Sequence, residues 1–219
     1  MVRYFTQCAS MLNSYLPERT VPIVAIISSA RNVGSSVIDE TVMCVNTLLQ
    51  RRRAVATRDG NGSPVVLVHG WMGRPVQLLS WLNCLDPNRP VYFYNYASVV
   101  PDIESASTEL RVVLQYLTEQ HNSLVMGAGH SLGGVLLAKA AQKETVSGYL
   151  TVCSPVRALR EPPTTLELNV AGRYDFIVPA SLAVRRGTQA YAMLDSGHLA
   201  SIEHTSTLSA LRFLDEQTS

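Results

Sequence analysis

The sequence predicts an α/β fold: a mainly parallel sheet with helices on both faces, preceded by a helical N-terminal extension. Three observations predict it. Beyond residue 62, short apolar runs alternate with stretches of helical period, the pattern of a parallel sheet with crossover helices. The first run, Val65–Val68, is continuously apolar, as a strand buried on both faces would be. The 219 residues are 47% hydrophobic and 16% charged, which suits one domain with a sizeable core.

The elements follow in order. Residues 1–62 read as an N-terminal extension and 63–219 as the main domain, because "RDGNGSP", Arg58–Pro64, concentrates turn-forming residues. Within the extension, Val21–Ile27 falls short of the roughly 20 apolar residues a membrane span needs. It reads as a strand or short buried helix in preference to a signal-peptide core, which favours a cytoplasmic or membrane-peripheral location over secretion. Val37–Arg53 reads as a helix, with Val37, Thr41, Val45, Leu48 and Leu49 on one face. The triplet Arg51–Arg53 suits its C-terminal dipole, or a peripheral contact with anionic lipid.

In the main domain, Val65–Val68, Val91–Tyr94, Leu124–Met126, Tyr149–Cys153, Leu166–Ala171 and Gln189–Leu194 read as strands. Helices are expected over Pro75–Leu85, from Pro101–Asp102 onward (Ala106, Leu110, Val113, Leu114 and Leu117 inward), over Leu132–Lys143 and over Ser201–Glu216. In such a sheet the site lies at the carboxyl ends of the strands.

A formal net charge of +1 gives no global field to attract nucleic acid. The cysteines, at 8, 44, 84 and 153, have no C-x-x-C spacing that would suggest a zinc site, and Cys153 reads as a small buried hydrophobe. Neither a metal nor a cofactor is expected.

The chemistry-bearing stretches lie just after predicted strands. Gly129-His130-Ser131-Leu132-Gly133 fits G-x-S-x-G. Its three fixed positions recur by chance in about one chain of this length in fifteen, so context must carry it. A strand before it and a helix after it are the context in which a serine is thrust out on a sharp turn. "VVLVHGWMG", Val65–Gly73, ends a strand in His-Gly and offers the second oxyanion donor, Trp71 N–H, with Met72 N–H next; Leu132 N–H offers the first. Asp175 follows one strand and His198 the next, so serine, acid and histidine occur in the chain order expected of hydrolases that carry their serine on such a turn. Asp195 and Glu203 compete for the acid and His204 for the base. His69 and His130 read as structural, and His121 as a helix-end cap.

Together His69–Gly73, Gly129–Gly134, Asp175–Pro179 and Gly197–Leu199 resemble the α/β-hydrolase superfamily, and most of all its small bacterial lipases and esterases without a cap domain. The resemblance runs from Ser63 to about Phe213. Larger members begin with an antiparallel hairpin, where this chain reads mostly as helix. The resemblance implies an α/β-hydrolase fold of minimal type and a Ser131–His198–Asp175 triad cleaving esters through an acyl-enzyme. An acyl-thioesterase, or a non-catalytic interaction protein on the same scaffold, are the alternatives. The dozen residues between Cys153 and Leu166 are too few for a helical cap, so the site is expected to be open. Met72, Ile177, Val178 and Leu199, beside Trp71, would meet the acyl chain of a small-molecule or lipid ester.

Overall fold

The computed structural model describes residues 53–219 apart from 100, 160, 162–164, 186, 187 and 189. The expectations for Val21–Ile27 and for nearly all of Val37–Arg53 lie outside the described residues.

The strands are β1 (Arg53–Arg58), β2 (Val65–Val68), β3 (Val91–Asn95), β4 (Met126–His130), β5 (Gly148–Val152), β6 (Glu167–Gly172) and β7 (Ala190–Leu194). They form one sheet in the order β1-β3-β2-β4-β5-β6-β7. Every neighbouring pair is parallel except β1 with β3. The α-helices are α1 (Leu79–Leu82), α2 (Ile103–His121), α3 (Leu132–Ala141), α4 (Ala180–Ala183) and α5 (Thr205–Thr218).

Successive side chains of a strand point to opposite faces, and β2 shows why it had to be apolar throughout. Val65 and Leu67 join a core with Phe93, Met126, Leu150, Trp81 of α1 and Leu211 and Leu214 of α5. Val66 and Val68 join the opposite core, with Leu110, Leu114 and Leu117 of α2 and Leu136 and Leu137 of α3. Helices thus cover both faces, as the alternating pattern predicts. Helix α2 starts where Asp102 accepts a hydrogen bond from Ser105 N–H at 3.1 Å, and stops at Asn122, whose φ of 49° breaks the helical run.

Three expectations are corrected. Arg53, expected to end a helix, begins β1, which joins the sheet by pairing Val55 with Phe93. The strand expected at Leu124–Met126 lies at Met126–His130. Its glycines are not breakers, because a side chain at Gly127 would come within 2.7 Å of Leu137 on α3. The long helix expected over Pro75–Leu85 is a 3-10 turn, Pro75–Leu78, followed by the single turn α1. The β5–β6 connection carries a 3-10 turn, Val156–Ala158, among its described residues.

Candidate active site

Ser131 sits between β4 and α3 with φ 53° and ψ −123°, a conformation that costs a non-glycine residue on the order of 1–3 kcal/mol. Its surroundings enforce the bend. A Cβ on Gly129 would lie 2.6 Å from Gly134 N, and one on Gly133 would strike the carbonyl oxygens of Val68 and His69. Helix α3 therefore starts hard against the ends of β4 and β2. The loop after β2 also reaches the serine, since a Cβ on Gly70 would lie 2.9 Å from Ser131 Cβ.

Ladder-like hydrogen bonds continue past the strand ends and tie the loops in series. Ser131 N–H donates to Val152 O at 2.8 Å, Cys153 N–H to Val170 O at 2.7 Å and Arg173 N–H to Leu194 O at 2.7 Å. Tyr174 N–H then donates to Ser196 O at 3.1 Å, which joins the loop after β6 to the loop after β7.

Across that seam His198 Nδ1–H donates to Asp175 Oδ2 at 2.7 Å. The other carboxylate oxygen accepts Ile177 N–H at 2.9 Å and Val178 N–H at 2.8 Å. Burial of Asp175 by itself raises its pKa, but these donors, together with the Cys153 thiol, outweigh it and hold the carboxyl below its ordinary value. With Nδ1 carrying the proton, a neutral His198 has a bare Nε2. Ser131 Oγ is not hydrogen-bonded to His198. Such contacts are often long without substrate and tighten in the complex. The serine is 8% exposed, so it lies largely shielded beneath its neighbours.

The rivals separate cleanly. Asp195 forms a surface ion pair with Arg173 at 3.2 Å. Glu203 is exposed. His204 caps α5, its Nδ1 accepting Ser206 N–H at 3.2 Å. His121, expected as a cap, bonds Tyr92 Oη through Nε2 at 2.7 Å. His69 stacks on Tyr96 with centroids 4.7 Å apart and donates from Nδ1 to Gly70 O at 3.0 Å; burial lowers its pKa.

Trp71 N–H and Leu132 N–H have no acceptor among the described residues, whereas Met72 N–H is committed to Ser98 O at 3.3 Å. Trp71, Ile177 and Leu199 are exposed and Met72 is half-buried. Val178 departs from the expectation of an acyl contact: its side chain packs against Ala171 and Ala183, and it serves the site through its N–H.

Two residues read as structural or merely buried make contacts here that the sequence did not announce. His130 Nε2–H donates to His198 O at 3.1 Å and the two rings pack at 4.7 Å. Cys153, fully buried with φ 48°, turns its thiol toward Asp175 and Ser201, and burial pushes that thiol up to about 11. Cys153, Asp175 and His198 present a sulfur, an oxygen and a nitrogen within 4.8 Å of one another, a set with the chemistry of zinc ligands. The carboxylate and imidazole are bonded to each other and the thiol faces Asp175, so the trio forms a hydrogen-bonded cluster.

No family model matches the sequence, and none of the curated proteins does. Solved structures do match. A monoacylglycerol lipase from Paleococcus ferrophilus is 11% identical with a TM-score of 0.61, covering 77% of this chain and 100% of its own. Esterase PE8 is 17% identical with a TM-score of 0.59, covering 76% and 99%. An alpha-beta serine hydrolase homologue from Coxiella burnetii is 15% identical with a TM-score of 0.55, covering 78% and 99%. At these identities the likeness speaks for architecture, and it agrees with the strand order and the helices on both faces: this chain has the fold of the α/β-hydrolase superfamily.

Proposed function

We propose that this chain is a serine hydrolase that cleaves carboxylic esters of lipase or esterase type. The observation that carries the reading is the 2.7 Å bond from His198 Nδ1–H to Asp175, in a loop held against the strained turn of Ser131.

In this reading His198 Nε2 takes the Ser131 hydroxyl proton as Oγ attacks the acyl carbonyl. The buried Asp175 carboxylate holds the tautomer and steadies the imidazolium. Trp71 N–H and Leu132 N–H, free of other acceptors among the described residues, receive the oxyanion. The tetrahedral intermediate collapses, and the imidazolium returns its proton to the departing alkoxide, which leaves as the alcohol. Water, deprotonated by His198, attacks the acyl-enzyme and frees the acid and the serine. Exposed Trp71, Ile177 and Leu199 offer apolar surface to the acyl chain, and Met72 adds to it. The neighbours named lipase and esterase support an ester in place of an amide.

The test is labelling with a fluorophosphonate probe and hydrolysis of p-nitrophenyl esters of graded chain length, comparing the protein with Ser131→Ala. Wild type should label and turn over, and Ser131→Ala should do neither. Equal labelling of the two would remove Ser131 from the role of nucleophile, and release of thiol from acyl-CoA without ester turnover would move the substrate to thioesters.

A further inference from the structure

The loops carrying Ser131 and His198 leave β4 and β7, strands separated in the sheet by β5 and β6. The main-chain bonds that run along this edge pass through each intervening strand in turn. One side chain bypasses them. His130, the residue directly before the serine, is 2% exposed and reaches the histidine loop with its Nε2–H, 3.1 Å from the carbonyl of His198. Its ring also packs against the His198 ring at 4.7 Å, tilted by 54°. On its other side, a Cβ on Gly70 would lie 3.1 Å from His130 Nδ1, so the loop bearing Trp71 leans on the same imidazole.

We propose that His130 is a positioning residue: it fixes the His198 loop relative to Ser131 through one hydrogen bond to the His198 carbonyl and through ring packing. This rests on the catalytic reading above. A link from the residue beside the nucleophile to the residue bearing the base sets the register of the two with few intervening torsions. Misplacement of reacting groups by about 1 Å can cost on the order of 10²-fold in rate. His130 is buried, and in its low-dielectric surroundings the bond is stronger than it would be in solvent. The role needs a neutral ring with its proton on Nε2. Burial, first, and the neighbouring His198 lower the His130 pKa to about 4, in keeping with a ring that stays neutral while His198 cycles.

Three proteins test it: wild type, His130→Phe, which keeps a packed ring and loses the donor, and His130→Gln, whose amide can restore an N–H near the same point. Turnover is normalised to the serine titrated by fluorophosphonate, so loss of folded protein does not count. His130→Phe should lower kcat about tenfold or more with KM little changed, and His130→Gln should recover most of it. A kcat for His130→Phe within about threefold of wild type, or no recovery in His130→Gln, overturns the proposal. A measurement on the unsubstituted protein stands apart from turnover and from variant folding: nitrogen NMR of the His130 ring should report the Nε2–H tautomer, and the Nδ1–H tautomer overturns the proposal. Should Ser131 fail to label, the catalytic reading falls, while the tautomer still decides whether His130 holds the His198 loop.

Discussion

The Asp175 carboxylate has its two oxygens assigned to different tasks. Oδ1 accepts the N–H groups of Ile177 and Val178, and Oδ2 accepts Nδ1–H of His198. This division makes Asp175→Asn an informative substitution. The two backbone donors would keep the amide oxygen on their side and turn the NH₂ toward His198 Nδ1. A donor would then face a donor, and the imidazole would move its proton to Nε2, the atom that accepts the serine proton in the proposed mechanism. The expected outcome is a folded protein whose kcat falls on the order of 10³–10⁴-fold, read from steady-state ester hydrolysis beside an unchanged thermal midpoint. The placement of Ser131, Asp175 and His198 just past the ends of strands was legible because each follows an apolar run. The contacts of His130 and Cys153 were not, since they arise only when loops from separate strands meet. Val178 was misassigned for a related reason: in "DFIVP" its apolar side chain drew notice, and its useful group is the N–H that every residue except proline carries.

The excursion between β6 and β7 that carries Asp175 is anchored by a buried ionic cluster. Arg185, downstream of α4, pairs with Glu167 on β6 at 3.2 Å, and both side chains are fully buried. Tyr149 Oη and Asn169 Nδ2 also donate to Glu167, at 2.8 Å each, and Arg185 N–H donates to Asn169 Oδ1 at 2.9 Å. A buried pair of this kind adds little net stability over apolar packing, but breaking it strands a charge. Glu167→Gln should therefore destabilise the protein by about 3–5 kcal/mol, measured as a lowered urea midpoint with an unchanged slope. Nothing in the sequence pattern announced this cluster, because Glu167 and Arg185 look like ordinary surface residues until β6 is placed in the interior of the sheet. The same limit hid β1: a six-residue strand, "RAVATR", following an arginine run reads as a helix end, and its partner β3 lies more than 30 residues downstream. In β4 the glycines that close packing against α3 requires were read as the end of the strand.

At the scale of the whole molecule, the succession of strands and helices was largely recoverable because alternating periodicity, burial on both faces and turn residues agreed from Val65 onward; the order of the strands in the sheet was not, because it depends on which way each crossover turns. That order gathers the carboxyl ends of β2, β4, β6 and β7 along one edge, and with them two histidines that are buried as neutral rings. His69 is 1% exposed and His130 2%, and burial is the main cause that lowers both pKa values, that of His130 to about 4. Unfolding returns each ring to an ordinary value near 6.5. Between those values the unfolded chain binds more protons than the folded one, so stability falls as pH falls. For His130 the window from about 6.5 to about 4 amounts to roughly 3 kcal/mol, and His69 acts in the same direction. Asp175 acts in the same direction at lower pH: its lowered value stabilises the fold above the ordinary carboxylate pKa of about 3.9, and that contribution is lost only below it. The urea midpoint should therefore decline steadily from about pH 7 to about pH 4.5 while Asp175 stays charged. In His130→Gln, which cannot titrate, the decline should be shallower by the His130 share. Equal slopes in the two proteins would mean that the His130 ring takes up its proton in the folded state at nearly the unfolded value, and that the edge around Ser131 is wetter than its burial indicates.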